Sequence, residues 1–127
     1  MKKFAIALVA LIGMAAPALA DPVLGMWKTE VDDGKYAHVD VHMCGAKICG
    51  KIVKSFENGA EYQSPNQGKN IIRGMVAVGG GKYEGEVWRP SNDKIYIGKL
   101  QLNGSKLKMK GCVAGGLLCK SQSWSRL

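Results

Sequence analysis

Three residues near the middle of the 127-residue chain, His38, Asp40 and His42, are of types that could hold a metal ion or relay a proton. Their spacing argues against both. They alternate with Ala37, Val39, Val41 and Met43, which is the period of a strand. Each step of two residues then covers about 6.6 Å, and the two imidazoles stand about 13 Å apart. Neither can share an ion or a proton with the other unless outside groups help. They also lie opposite Val39 and Val41, the face that alternation buries, so an ordinary solvated face accounts for them. No serine sits in a nucleophile elbow, and no Gly-rich phosphate loop joins a strand to a helix. The expectation is a non-enzyme with no catalytic residues, no metal and no cofactor.

The cysteines carry different chemistry, and the compartment decides which. Met1-Lys2-Lys3, an apolar run from Phe4 to Ile12 and the site Ala18-Leu19-Ala20 are the three parts of a secretory signal peptide over residues 1–20. The apolar run is too short to span a bilayer. The mature chain is therefore expected to begin at Asp21 as one exported domain, residues 21–127, periplasmic or secreted. In an oxidising compartment an even cysteine count reads as disulfides, and four cysteines allow three pairings. The local pairing, Cys44–Cys49 and Cys112–Cys119, is favoured because each pair flanks a glycine-containing turn. Structural zinc is the competing reading; Cys-x4-Cys lies at the edge of the usual ligand spacing and Cys-x6-Cys outside it.

Charge excludes little. Removal of Lys2 and Lys3 takes the formal net charge from +8 to +6, with 16 basic residues against 10 acidic ones. Arginine occurs only at Arg73, Arg89 and Arg126, so the arginine clusters of a nucleic-acid reader are missing. Lys106-Leu-Lys-Met-Lys110 alternates as a strand with one solvated face, and also offers a surface for anionic lipid, polysaccharide or a protein partner.

What must position these residues is a set of short strands. Glycine is nearly twice as common as usual, and long helical periodicity is absent from the mature chain. Strands are expected over 24–30, 36–43, 48–56, 70–78, 82–89, 94–102, 105–113 and 117–126. They are separated by turn signals such as Asp33-Gly34, Gly79-Gly-Gly81 and Asn103-Gly104. Residues 57–69 form the longest polar gap. About eight consecutive antiparallel strands make an all-β, up-and-down barrel, which leaves no exposed sheet edge. Gly50, Gly74, Gly85, Gly98 and Gly111 interrupt strands where a small barrel must bend.

Asp21-Pro-x-x-Gly25-x-Trp27, Cys44-Gly-x-x-Ile-Cys49-Gly-x-Ile52-Val53, Gly111-Cys112 and Gln122-Ser-Trp124-Ser-Arg126 together resemble the small secreted bacterial domain-of-unknown-function family 2147. The resemblance covers essentially all of the mature chain and implies a lipocalin-like barrel without an established activity. The chain departs from the family in the middle, where Asn70-Ile-Ile-Arg-Gly74 replaces an apolar Gly-x-Pro-Leu-like stretch. Gly25, Trp27, Trp124 and Arg126 also look like the lipocalin closure, in which a first-strand indole is covered by a guanidinium from the chain's end. Such a contact contributes about 0.5–2 kcal/mol.

A barrel of this size is either filled by side chains or holds one small ligand. The expected ligand is a small apolar or amphipathic molecule bound by Phe56, Tyr62, Tyr83, Trp88 and Tyr96. The entrance is expected opposite the Trp27/Arg126 closure, under the 57–69 loop.

Overall fold

The computed structural model describes residues 21–127; the predicted signal peptide lies outside the described residues. Nine strands follow in order: β1 Gly25–Lys28, β2 Lys35–Cys44, β3 Lys47–Glu57, β4 Ala60–Tyr62, β5 Asn70–Gly79, β6 Lys82–Arg89, β7 Lys94–Asn103, β8 Lys106–Val113 and β9 Leu118–Arg126. All neighbours are antiparallel. Eight of the strands close into a barrel, with β9 pairing β1 and β2 pairing β3. The ninth, β4, lies outside the ring as a short flap on β3, where Ser55 faces Tyr62.

That flap corrects the expectation of a structureless 57–69 gap. Asn58 and Gly59 adopt φ of 51° and 84°, the left-handed pair that a two-residue hairpin turn requires. Asn-Gly was therefore a hairpin signal inside a polar run. Three residues are too few for periodicity to reveal the strand that follows.

Connections alternate between the two ends of the barrel. One end carries the start of β1 and the end of β9, the Cys44–Cys49 turn and the 79–82 and 103–106 turns. The other carries the 29–34 connection, the β3–β5 segment, the 89–94 turn and the Cys112–Cys119 turn. Both cystines are local, one at each end.

The interior is layered by register. Leu102, Leu107 and Trp124 share a row near the end where β9 finishes, followed by Tyr83, Leu100, Met109 and Gln122. Gly85, Gly98 and Gly111 face one another on adjacent strands as the next row. A Cβ on Gly98 would stand 2.4 Å from the Val87 side chain and 2.8 Å from Met75. The glycine row thus gives Val87 and Met75 the space to pack against bare backbone. Below it the barrel is solid, with Trp27, Trp124 and Leu107 free of solvent exposure, and Ile72 and Met75 are equally buried beside the row.

Candidate functional site

The barrel's two ends are built from different chemistry. At the terminal end the segment 21–24 folds across the opening, with the Leu24 N–H donating to the Asp21 carbonyl. The Trp27 indole N–H donates to the Val23 carbonyl at 2.9 Å. The Arg126 guanidinium lies 4.2 Å from the Trp27 ring centroid and donates to the carbonyls of Leu24 and Pro22. Gly25 makes room for it: φ is 125°, and a Cβ there would meet the guanidinium at 3.1 Å. Trp124 is buried one row above, its N–H donating to the Gln122 side-chain oxygen. This end is closed.

The other end is open over a cavity of about 980 Å³. Its base is formed by Ile52, Val87 and Met109, with the Ser55 hydroxyl and the Gln122 amide as polar groups among them. Ser55 is buried. Gln122 already accepts from Trp124, which leaves its amide N–H groups for the cavity. Higher up, Tyr62, Trp88 and Tyr96 line the walls. The Tyr96 ring rests against Gly111, whose missing side chain would sit 3.5 Å from it. The Tyr96 hydroxyl accepts from Asn92 at 2.7 Å. Trp88 donates to Asp93 at 2.9 Å, and Lys69 lies over its ring.

Charged groups stand at the rim. Arg89 reaches Asp32 from the far side of the ring, donating through Nε at 3.0 Å and through a terminal nitrogen at 2.8 Å. The pair crosses the mouth like a strap, and the bond to Asp32 raises the guanidinium's pKa further. Lys120 is the register partner of Gly111, so it projects from the inner face of β9 into the same opening. Glu30 accepts from the Ser123 N–H at 2.8 Å. That bond caps the stretch of β9 that β1, ending at Lys28, is too short to pair.

Of the five aromatic residues expected to bind ligand, the structure places Tyr62, Trp88 and Tyr96 on the cavity and removes two. Tyr83 belongs to the closed end, where it is buried and its hydroxyl donates to the Asp21 carboxylate. Burial and that acidic partner push its pKa well above the ordinary tyrosine value. It begins β6 next to the 79–82 turn, and that turn's end fixes its height in the barrel.

Phe56 is displaced for a subtler reason. Val39 faces Ile52 and His38 faces Lys54, so β3 carries one extra residue, a bulge at Val53. The bulge reverses the alternation: Ile52 and then Ser55 point inward, and Phe56 turns outward. There it stacks on Tyr36, ring centroids 4.6 Å apart, with His38 4.7 Å away. Burial, followed by Lys54 and Lys28, holds the His38 imidazole below its usual pKa. Among the described residues no group of three His, Cys, Asp or Glu side chains is placed to hold a metal ion.

Sequence reasoning missed the strap and the polar base. Asp32 and Arg89 read as a turn residue and a strand end, and only barrel closure brings them together.

A closed eight-stranded antiparallel barrel, plugged at one end and hollow at the other, is a lipocalin-like barrel. The model of the family described as "Uncharacterized protein conserved in bacteria (DUF2147)" matches residues 25–126, and the chain belongs to that family. Among solved structures it is similar to protein HP1028 of Helicobacter pylori, described as belonging to the lipocalin family. The two share 17% sequence identity and a TM-score of 0.69 over 85% of this chain and 84% of that one. No curated protein sequence matches the chain.

Proposed function

We propose that the protein is an exported, non-catalytic carrier of one small amphipathic molecule, held in the barrel's open end with its polar part toward the rim. The observation that carries this reading is the cavity of about 980 Å³ above a solid lower core. It falls at the upper end of the range for small-molecule sites, with an apolar base and a rim rich in polar and charged side chains. Ile52, Val87 and Met109 take the apolar part, Ser55 and Gln122 offer hydrogen bonds within, and Lys120 stands where a polar or anionic head would emerge. A lipocalin-like barrel supports the same reading by analogy of fold. The two cystines support export to the periplasm or beyond, because such bonds persist in oxidising compartments.

Titration with fatty acids, retinoid-like and aromatic amphiphiles tests the proposal. At least one should bind more tightly than about 100 μM, or roughly −5.5 kcal/mol. Ser55→Leu, which intrudes on the base, should weaken that binding at least tenfold while near-ultraviolet circular dichroism stays native. Absence of binding across the three classes would overturn the carrier reading.

A further inference from the structure

The β8–β9 turn does something the carrier reading leaves unused. Val113 and Leu118 face each other at its root, 49% and 66% exposed, and Leu117 at its tip is 84% exposed. On the outer flank, Ile97 is the register partner of Cys112 and is 42% exposed. The turn is rigid despite this. Cys112 and Cys119 are joined across it, and the short 3-10 turn Ala114–Gly116 folds back so that the Gly116 carbonyl lies 3.5 Å from the Cys119 sulfur. An apolar tip is therefore held out in water by a covalent bond, at the lip of the cavity that Val113 and Leu118 also line.

Cations surround it. The Lys99 ammonium comes within 3.5 Å of where a Gly116 side chain would begin, which brings it beside Leu117. Lys110 is its neighbour across the β7–β8 ladder, and Lys120 follows Cys119 on the inner side. The two ion pairs among the described residues, Arg73–Glu86 and Arg89–Asp32, use none of these three lysines. The carboxylates nearest in register are Glu84, opposite Lys99, and Glu86, opposite Ile97 and already paired.

We infer that this turn docks the protein, mouth first, on the surface of a bilayer rich in anionic phospholipid. The tip is narrow and convex. It fits a fluid layer that yields to it, whereas a protein partner would need a matching pocket. Leucine side chains enter the boundary between headgroups and acyl chains, and the flanking lysines stay among the phosphates. Each lysine near such a surface adds about fivefold in affinity at physiological salt. The barrel does not cross the bilayer: its outer face carries Lys51, Lys54, Glu84, Lys108 and Lys110, which a lipid-facing wall excludes. Docked in this way, the cavity opens onto the layer from which an amphipathic ligand would come. The inference goes beyond the carrier reading and stands without it, since the test below uses no ligand.

Flotation with phosphatidylcholine vesicles, with and without phosphatidylglycerol, provides that test. The oxidised protein should float with the anionic vesicles at low salt and be released by high salt. Leu117→Ser with Leu118→Ser should weaken flotation by about tenfold or more. Lys99→Gln with Lys110→Gln should weaken it by about fivefold per lysine. Lys82→Gln with Lys106→Gln removes the same charge at the closed end and should have much less effect. A Trp introduced as Leu117→Trp should shift its emission to the blue on anionic vesicles. Equal flotation on both vesicle types, equal loss from the two lysine pairs, or no loss from the leucine pair overturns the inference. So does a dimer in solution that the leucine pair dissolves, which would make a second copy the occupant.

Discussion

The two ends of the barrel are made from the same eight strands and spend their interiors differently. The closed end uses tryptophan, leucine and a buried tyrosine to fill every row, and its polar groups bond to one another or to backbone. The open end keeps about 980 Å³ empty, exposes Val31, Val113, Leu117 and Leu118 on its lip and ties its rim with one ion pair. A small domain has little core to spare. Concentrating stability at one end leaves the other free to bear a void and an exposed apolar tip.

The sharpest way to break this contrast is to truncate one aromatic residue at each end. Trp27→Ala should cost about 3–5 kcal/mol in denaturant unfolding, the usual loss for a large buried aromatic residue. Tyr96→Ala, on the cavity wall, should cost about 1 kcal/mol. Comparable losses would mean that the mouth is as much a structural core as the plug.

The two arginines give a smaller test of the same idea. Arg126→Ala removes the cover from Trp27 and leaves the Leu24 and Pro22 carbonyls without their donor, so about 2 kcal/mol should be lost and tryptophan emission should change. Arg89→Ala opens only an exposed ion pair and should stay within about 0.5 kcal/mol. The ranking, read from thermal midpoints at equal concentration, fails if Arg89→Ala is the more damaging.

The smallest effect concerns pH and belongs to the closed end alone. Tyr83 has a raised pKa in the folded state, first through burial and then through Asp21. Near and above pH 10 the unfolded chain releases this proton and the folded one keeps it, so stability present below about pH 10 declines as pH rises. Tyr83→Phe should flatten that decline relative to wild type. Parallel pH profiles for the two proteins would show that folding does not hold the Tyr83 proton.

Much of this architecture is legible in the chain, and the failures have physical causes. Tyr36 to Met43 alternates so cleanly that β2 is fixed to within a residue or two, and the Gly and Asn-Gly turns place the hairpins. Alternation says which residues share a face, but a single bulge at Val53 reverses it for Ser55 and Phe56, and no local signal marks the bulge. Residue type alone assigns Tyr83 to the ligand, whereas its height in the barrel decides its role. The cavity itself is a property of the whole ring. Ile52, Val87 and Met109 look like any core residues until the space that the ring leaves above them is known.

The clasp at the closed end also has a meaning in time. Arg126 donates to Leu24 and Pro22, residues 102 and 104 positions away, and β1 meets β9 only through Trp27↔Arg126 and Lys28↔Ser125. Hairpins between successive strands form from local contacts, but this join closes the longest loop the chain possesses, and such contacts come late. Until β9 is in place, β1 has no partner on one side and Trp27 has no cover. The ring is therefore expected to close after its hairpins have formed.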